Sequence, residues 1–434
     1  MTVNVVGAGL AGCEAAFALA NRGIDVVLYE MRPNKMTPAH KTDMFGELVC
    51  SNSLKAMRHG SAAGLLKEEM RRLGSVCLNA ADKASVAAGG ALAVDRKLFS
   101  EEITKVISSH PKITLKREEV TKVPEGPTVI ATGPLTSEGL SESLKELFGE
   151  NELYFFDAAA PVVSADSIDY GKVFKASRYN RGDDDYINCP FTKEEYNAFY
   201  DALITAETVE LETFEKDVFR VYEGCMPVEV MAKRGRDTLR FGPMKPVGLY
   251  DPRTNRRPYA VLQLRSEDKE GSNYNLVGFQ TNLKFPEQDR VFRMIPGLEN
   301  ANFTRKGVMH RNTFINSPKV LDQFSRLKGR KDLFFAGQMT GVEGYMESAF
   351  SGILAGINMA RVLEGKEPLL FPHDTMIGAL QRHISNDFTK DFEPMGANMG
   401  LLPSVSGRIP KQERYIMVAD RAEQSMTEFL KDNF

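Results

Sequence analysis

The first thirty residues most constrain how this chain can fold. Val3–Val6 predicts a short buried strand, a glycine-rich turn at 7–12 follows at once, and Cys13–Asn21 predicts an alanine-rich helix. Ile24–Tyr29 predicts a second strand that ends at Glu30. A strand, a turn with the spacing GxGxxG, a helix and a second strand form the βαβ unit that binds dinucleotides. We therefore expect an α/β fold with a parallel sheet.

Each glycine of this motif has its own expected task. Gly7 allows the tight turn, Gly9 lets the backbone approach a pyrophosphate, and Gly12 lets helix and strand pack closely. The helix N-terminus offers unpaired N–H groups to the phosphates, and Glu30 accepts hydrogen bonds from a ribose hydroxyl. A glycine-rich turn without a ligand is the alternative. The residues expected to contact the dinucleotide here are Gly7, Ala8, Gly9, Leu10, Ala11, Gly12 and Glu30.

Two later apolar segments indicate which dinucleotide is bound. The segment 127–133 ends in Ala-Thr-Gly, and the segment 332–338 ends in Ala-Gly-Gln before a small-residue helix expected at Ser351–Leu363. This arrangement resembles the second FAD contact of flavoproteins with two dinucleotide-binding folds. We expect a Rossmann-like FAD-binding domain of that type. The further residues expected to contact FAD are Ala131, Thr132, Gly133, Gly337, Gln338, Gly341 and Gly344.

The middle of the chain changes sharply in charge. Residues 181–224 contain four basic and twelve acidic side chains, whereas residues 225–265 contain nine basic and three acidic ones. Thr192–Ala206 shows helical spacing, and Tyr259–Leu264 and Tyr274–Thr281 predict strands. We therefore expect an α+β domain at 185–304, inserted between two parts of the FAD-binding domain at 1–184 and 305–434.

Composition excludes several classes of protein. The 434 residues include 55 Lys and Arg against 58 Asp and Glu, which excludes a globally basic nucleic-acid binder. The five cysteines are widely spaced without a CxxC pair, which disfavours a disulfide framework and a thiol-rich zinc site. No run of 18 apolar residues occurs, and Val3–Ala20 lacks the basic start of a signal peptide. We expect a cytoplasmic protein without membrane spans or a metal.

Several longer motifs point to a family. They lie at 38–40 (PAH), 47–54 (ELVCSNSL), 89–96 (GGALAVDR), 223–229 (EGCMPVE), 241–249 (FGPMKPVGL), 278–281 (GFQT), 310–316 (HRNTFIN) and 336–345 (AGQMTGVEGY). Together they resemble the bacterial folate- and FAD-dependent tRNA (uracil-5-)-methyltransferases, the TrmFO family, from residue 3 to about residue 403. The chain departs from that pattern at Cys13 and Phe350.

The resemblance implies a reaction. The family methylates C5 of the T-loop uridine (position 54) of tRNA, with 5,10-methylenetetrahydrofolate as carbon donor and reduced FAD, regenerated by NADPH or NADH, as reductant. Its two functional cysteines match Cys50 and Cys225. Uracil C5 becomes nucleophilic when a thiolate adds to C6. We assign that addition to Cys225, near basic residues that favour a thiolate, and an acid/base or helper role to Cys50; the opposite assignment stays open.

The resemblance also implies further candidates and leaves alternatives. The T-arm of tRNA is the expected macromolecular partner, and the basic stretch Lys233–Arg257 is expected to contact its phosphates, with a solvated face as the alternative. The same chemistry on another RNA uridine or on rRNA, a small-molecule flavin oxidoreductase, and a noncatalytic tRNA-binding scaffold remain as other functions. Flavin or folate candidates are Arg96, His40, His310, Glu343 and Tyr345; Cys13, Cys77 and Cys189 are expected to be structural.

Overall fold

The structure is a computed structural model that describes residues 2–148, 152–158, 160–180, 185–209, 226–385, 392, 394–405, 407 and 409–434. The described strands are β1 Thr2–Val6, β2 Asp25–Tyr29, β3 Ser53–Ala56, β4 Ser85–Val86, β5 Ala91–Val94, β6 Ile113–Lys116, β7 Thr128–Ile130, β8 Glu152–Ala158, β9 Val162–Ser164, β10 Phe174–Lys175, β11 Tyr186–Phe191, β12 Ala260–Ser266, β13 Asn273–Leu276, β14 Phe303–Arg305, β15 Met309–Ile315 and β16 Leu333–Phe335. The described α-helices are α1 Leu10–Ala20, α2 Ala62–Arg72, α3 Val76–Lys83, α4 Arg96–Ser108, α5 Glu138–Phe148, α6 Lys193–Ile204, α7 Val228–Lys233, α8 Thr238–Phe241, α9 Phe285–Phe292, α10 Ser317–Val320, α11 Tyr345–Leu363, α12 Met376–His383 and α13 Lys411–Asn433.

A five-stranded parallel sheet forms the first domain, in the order β16-β7-β1-β2-β6. The expected βαβ unit is confirmed, because β1 and β2 pair in parallel with α1 between them. Strand β16 pairs with β7, so the segment near 333 joins the sheet formed by the start of the chain. This pairing confirms that both glycine-rich turns belong to one FAD-binding type of α/β domain.

Helices α1 and α11 pack closely because small residues face one another. A Cβ added at Gly352 meets the Ala11 backbone inside contact distance, and one at Gly356 lies 2.7 Å from the Ala15 carbonyl oxygen. Both helices also begin earlier than expected, α1 at Leu10 and α11 at Tyr345. The close packing brings the N-terminal turns of the two helices to the same side of the sheet.

A six-stranded sheet forms the second domain, in the order β10-β11-β12-β13-β9-β14 and antiparallel throughout. Helix α6 packs on it, and Thr192 caps that helix through a capping box with Glu195. Its core is rich in buried aromatic rings, such as Phe199 and Phe279. The sheet takes in strands from Val162 to Arg305, so we propose that the inserted unit starts well before the boundary expected at 185.

The two domains are joined by hydrogen bonds around Asn52. Its side-chain amide donates to the carbonyl oxygens of Val94 and Ser266, at 3.0 and 2.8 Å. Its Oδ1 accepts from Nε of Arg265 at 2.8 Å, and the same guanidinium donates to Ser51 Oγ. Strand β12 is thereby fixed beside the segment that carries Cys50. None of the described helices is long and apolar enough to cross a membrane.

Candidate functional site

A cleft opens at the carboxyl end of β1, where the first glycine-rich turn begins. Gly7, Gly9, Glu30 and Thr132 line it, as the sequence predicted for FAD contacts. Gly7 has φ +98°, and a Cβ there would lie 2.7 Å from the Ala131 carbonyl oxygen. Gly7 is therefore required by the turn itself. We call this cleft, with its two glycine-rich turns, the dinucleotide cleft.

Gly9 and Gly12 are glycines for different physical reasons. A Cβ at Gly12 would overlap the Gly7 carbonyl oxygen, so Gly12 allows helix and turn to pack. Gly9 has φ −73° and ψ −171°, which any residue adopts, and a Cβ there would meet nothing within 4 Å. The protein itself therefore does not require glycine at position 9. Open space at this N-cap fits the approach of a pyrophosphate to the backbone.

Glu30 is buried between the glycine-rich turn and Arg32. Its Oε2 accepts from the backbone N–H of Ala8 at 3.0 Å, and its Oε1 accepts from Nε of Arg32 at 2.9 Å. Arg32 also pairs with Glu47 at 3.1 Å. Burial works to raise the pKa of Glu30, but Arg32 outweighs it and holds that pKa below its usual range. Glu30 is thus a carboxylate that both shapes the turn and faces the cleft.

The second glycine-rich turn lies between β16 and α11. Gly337 has φ +87° and lies against Ala11 of α1, since a Cβ there would be 3.3 Å from the Ala11 Cβ. Gln338 donates to Glu343 at 2.8 Å, and Gly344 precedes the first residue of α11. The structure therefore brings this turn to the N-terminal end of α1, as FAD contacts at both ends of the chain require. The remaining predicted residues of the two turns are Leu10 in α1, Ala131 and Gly133 after β7, and Gly341 beside Phe392.

Cys50 lies against the first residue of α11. The Tyr345 hydroxyl is 3.0 Å from Cys50 Sγ, and its oxygen accepts from the backbone N–H groups of Cys50 at 2.9 Å and Ser51 at 3.2 Å. Burial, and then the charge of Cys50, raise the pKa of Tyr345 well above its usual range. The phenol therefore keeps its proton. With two donors already on the oxygen, that proton is directed to the sulfur, which favours a thiolate.

Two arginines lie near the Cys50–Tyr345 pair and act on it through their charge. Arg96 donates to the Leu48 carbonyl oxygen at 2.8 Å, and its Nε lies 2.5 Å from Glu267 Oε2. Arg305 lies 4.0 Å from the same carboxylate oxygen. Arg96 was predicted as a flavin or folate candidate; among the described residues it pairs with Glu267 and does not line the dinucleotide cleft. We name Cys50, Tyr345, Arg96, Arg305 and Glu267 the Cys50 cluster.

The other cysteines and the two candidate histidines differ in burial and in position. Cys13, Cys77 and Cys189 are fully buried, and burial raises the pKa of each thiol, which fits structural roles. Cys225 lies outside the described residues, as does the side chain of His310. His40 lines the dinucleotide cleft, and its Nδ1 lies 2.6 Å from Thr37 Oγ1. Among the described residues, no three of His, Cys, Asp and Glu are arranged to hold a metal ion.

Sequence reasoning missed three of these side chains. Arg32 follows Glu30 by two residues. A basic residue so soon after the acid at the end of β2 was the signal that could have predicted their pairing. Arg305 and Glu267 carry no local signal, because they become neighbours of Arg96 only when the second sheet forms. Glu267 stands one residue after the end of β12, and Arg305 ends β14.

Comparison with known proteins places the chain in a class and then in a family. The profile of the family described as "Glucose inhibited division protein A" matches residues 2–367. A solved structure of Aquifex aeolicus GidA has a TM-score of 0.67 at 19% identity, covering 99% of this chain and 75% of that one. The fold is therefore that of a GidA-type α/β protein with an inserted domain.

Closer relatives specify the family. A Halalkalibacterium halodurans protein named methylenetetrahydrofolate--tRNA-(uracil-5-)-methyltransferase TrmFO is 59% identical over 430 residues, covering 99% of this chain and 98% of its own. A protein of the same name from Listeria monocytogenes serovar 1/2a is 61% identical over 422 residues, covering 97% of both chains. The chain belongs to the TrmFO family of folate-dependent tRNA (uracil-5-)-methyltransferases.

Proposed function

We propose that this chain methylates C5 of the T-loop uridine of tRNA, with 5,10-methylenetetrahydrofolate as the carbon donor. One observation of the structure carries the proposal: a thiol, Cys50, is held by Tyr345 at the N-terminus of the helix that follows the second glycine-rich turn. This position supports the proposal, because a flavin-dependent methylation of uracil needs a reactive thiol next to a dinucleotide-binding fold.

The dinucleotide cleft fits FAD. A Cβ at Gly9 would meet nothing within 4 Å, and Gly337 of the second turn lies against Ala11, so both turns stand near the N-terminal end of α1. Gly7, Gly9, Glu30 and Thr132, which line the cleft, and Gly337 in the second turn would hold the cofactor. When bound and reduced, FAD supplies the electrons that turn a methylene group into a methyl group. We propose NADPH or NADH as the source of those electrons.

The protein's own groups perform the proton and thiol chemistry. Cys225 adds to C6 of the uracil ring and makes C5 a nucleophile toward the methylene carbon. When C5 loses its proton, the folate nitrogen leaves that carbon, and addition of a hydride to it then expels Cys225 from C6. Cys50 takes up the proton that C5 must lose, because the O–H of Tyr345 stabilises its thiolate. Arg96 and Arg305 place positive charge beside this thiol, which favours the same ionisation. The exchange of roles between the two cysteines is the competing assignment.

The basic part of the inserted domain supports tRNA as the partner. Lys and Arg bind phosphates, and exposed aromatic rings stack on unpaired bases. Phe241 lies in this stretch and is 82% exposed. The exposed basic side chains here include Lys233, Lys245, Arg256 and Arg257. We propose that this surface binds the T-arm, and that the protein acts in the cytoplasm, where tRNA is modified.

One experiment tests the reaction and the substrate together. The purified holoenzyme is incubated with unmodified tRNA, NADPH and methylenetetrahydrofolate labelled in its methylene carbon, and the digested RNA is searched for labelled nucleosides. Label in 5-methyluridine at the T-loop is expected. Label at another uridine, or in rRNA offered in place of tRNA, would move the substrate. NADPH oxidation without label in RNA would contradict the proposal and favour a flavin oxidoreductase.

Substitutions of single cysteines test the roles in that assay and provide its control. Cys225→Ala is expected to abolish methylation while leaving FAD bound, because no nucleophile then reaches C6. Cys189→Ala removes a fully buried thiol outside both sites and is expected to leave turnover within about twofold of the unmodified enzyme. Normal turnover by Cys225→Ala, with the product confirmed as 5-methyluridine, would assign the nucleophile to Cys50.

A further inference from the structure

Three of the family motifs meet at one place in the inserted domain. They are the motifs at 223–229, 241–249 and 278–281. Gly278 has φ +77°, and a Cβ there would lie 2.7 Å from the Cβ of Pro243. The N–H of Val228, the first residue of α7, donates to the Gln280 carbonyl oxygen at 2.7 Å. The third motif therefore contacts both of the others.

Glu229 fixes the start of α7 to residues 280–282, which we call the clamp segment. Glu229 is 1% exposed, and both of its carboxylate oxygens accept hydrogen bonds from this segment. Oε2 accepts from the hydroxyl of the fully buried Thr281 at 2.9 Å, and Oε1 accepts from the backbone N–H of Asn282 at 2.7 Å. A buried carboxylate with two such bonds to one neighbouring segment holds the two in a fixed arrangement.

The clamp segment also holds the chain on the other side of Cys225. The side-chain Nδ2 of Asn282 donates to the Val209 carbonyl oxygen at 3.0 Å. The carbonyl oxygen of Asn282 accepts from the Val209 N–H at 2.9 Å. Val209 is the last described residue before Cys225, and Met226 is the first described residue after it. Asn282 therefore bonds to both flanks of the part of the chain that carries this thiol.

Backbone pairing extends the contact on the upstream flank. Thr208 forms an antiparallel bridge with Leu283, and the N–H of Lys284 donates to the Glu207 carbonyl oxygen at 3.0 Å. Residues 207–209 are thereby held along the chain that continues from the clamp segment. Both flanks of Cys225 are thus fixed to one short piece of the inserted domain.

The distance along the chain from Cys225 to this fixed point is short. Helix α7 begins three residues after Cys225. Three residues span at most about 11 Å, so the position of α7 limits where the sulfur can lie. A nucleophile that is misplaced by about 1 Å can lose about 100-fold in rate. The bonds that fix α7 and Val209 therefore act on the step in which the thiolate attacks.

We propose that Glu229 and Asn282 are positioning residues that set where Cys225 meets C6 of the uracil ring. The inference rests on the proposed function, because it takes Cys225 as the nucleophile. Glu229 acts through α7, and Asn282 acts through both Glu229 and Val209. Their loss should slow the attack on C6 and leave the binding of tRNA and FAD unchanged.

The test measures the rate at which the FAD-loaded enzyme adds to uracil. In tRNA made with 5-fluorouridine, and with methylenetetrahydrofolate present, C5 takes up the methylene carbon but cannot release fluorine as it would a proton. The bond from sulfur to C6 therefore persists, and mass spectrometry of the linked peptide locates it. Asn282→Asp keeps the side-chain shape and loses the donor to Val209, whereas Glu229→Ala loses both acceptors. Each is expected to slow adduct formation about 10-fold, with unchanged tRNA affinity and FAD content.

Three further measurements separate positioning from general stability. Glu229→Gln keeps an oxygen for the N–H of Asn282, and the Thr281 hydroxyl can turn to accept, so its rate should stay within about threefold of the unmodified enzyme. Asn433→Ala is the matched control, because it removes an Nδ2 bond to the Phe429 carbonyl oxygen at 2.9 Å and should change the rate less than about twofold. Alkylation of Cys189, which is buried in the core of the inserted domain, should stay slow in every variant.

The outcomes separate this inference from the proposed function. An unchanged adduct rate in Asn282→Asp and Glu229→Ala would overturn it, and so would a slower adduct accompanied by faster alkylation of Cys189. An adduct located at Cys50 would overturn it even if tRNA is methylated normally. No tRNA methylation, with an adduct at Cys225 that is slowed in Asn282→Asp, would contradict the proposed function and leave the positioning role standing. Thermal unfolding shows whether each variant is folded, and Asn282→Asp carries the test if Glu229→Ala is not.

Discussion

The dinucleotide cleft and the Cys50 cluster are built in opposite ways. The cleft depends on glycines that lie close to backbone, and the glycines of its first turn lie within the first twelve positions of the chain. The Cys50 cluster is shaped by long polar side chains that come from both domains and from opposite ends of the chain. The shape of the cleft depends on positions without a side chain, whereas the chemistry of the Cys50 cluster depends on contacts between charged and hydroxyl groups.

This difference predicts how each region responds to substitution. In the cleft, adding atoms at a glycine should harm folding or ligand binding, according to what the new atoms meet. In the Cys50 cluster, removing one polar atom should leave the fold and FAD in place and change the chemistry. Substitutions that follow these two patterns support the contrast between the two regions, and substitutions that do not follow them contradict it.

The largest effect is expected at Gly12. Its replacement by Ala puts a Cβ onto the Gly7 carbonyl oxygen, which is backbone and cannot turn aside. We expect the free energy of unfolding to fall by about 3 kcal/mol, measured by urea denaturation, together with loss of FAD. Gly90→Ala is the control, because a Cβ there meets nothing within 4 Å and the backbone is not in the left-handed region. Equal stability of the two variants would show that the turn relaxes more easily than the packing indicates.

Gly9→Val should separate ligand binding from folding. The backbone at Gly9 accepts any residue and an added Cβ meets nothing within 4 Å, so we expect the unfolding curve of the FAD-free protein not to change. The side chain would occupy the space a pyrophosphate needs, and FAD affinity should fall by about 100-fold or more. Flavin absorbance per protein after dialysis measures this. A yellow, stoichiometric variant would remove Gly9 from the FAD site.

The sequence predicted the first βαβ unit of the cleft because its determinants are local. Alternation of apolar residues marks β1 and β2, and the glycines that form the turn lie between them in fixed spacing. Even so, α11 was expected only from Ser351, whereas it begins at Tyr345. The residues 345–350 mix large and polar side chains, and such a mixture weakens the periodic pattern that predicts a helix.

The Cys50 cluster could not be assembled from sequence because its contacts are distant along the chain. Cys50 and Tyr345 are 295 residues apart, and they meet only because Gly352 lets α11 pack closely on α1. The resemblance to a family predicted Cys50 as a functional residue, but no pattern predicted its partner. The pairing of Arg96 with Glu267 likewise requires the contact between the two domains.

Tyr345→Phe tests the Cys50 cluster by removing one oxygen atom. The ring remains to fill its place, so FAD content should be unchanged. The hydrogen bond to Cys50 Sγ is lost together with the acceptor for the backbone N–H groups of Cys50 and Ser51, which should lower the free energy of unfolding by about 1–3 kcal/mol. We expect kcat for tRNA methylation to fall by about 10-fold with little change in KM. The midpoint of the pH profile for alkylation of Cys50 by iodoacetamide, followed by mass spectrometry of its peptide, should move up by about one pH unit. A purely structural Tyr345 would leave that midpoint where it is.

The smallest effect is expected at Glu30, where the cleft does depend on a side-chain charge. Because Arg32 holds the folded pKa of Glu30 below its unfolded value of 4.5, its contribution to stability is present above that value and is lost as the pH falls through the folded pKa. Glu30→Gln should therefore lower the free energy of unfolding by about 1 kcal/mol at pH 7, and the deficit should shrink below about pH 4.5. Urea denaturation at several pH values measures both.

Glu119→Gln provides the matched control for that charge. Glu119 pairs with Lys35 at 2.8 Å, but the lysine side chain is 47% exposed and water screens the pair. We expect its loss to cost less than about 0.5 kcal/mol at pH 7. A Glu30→Gln deficit that is equally large at every pH would mean that Glu30 acts through shape and hydrogen bonding alone. In that case the cleft would not depend on charge, and the contrast between a backbone-built cleft and a charge-built cluster would be sharper still.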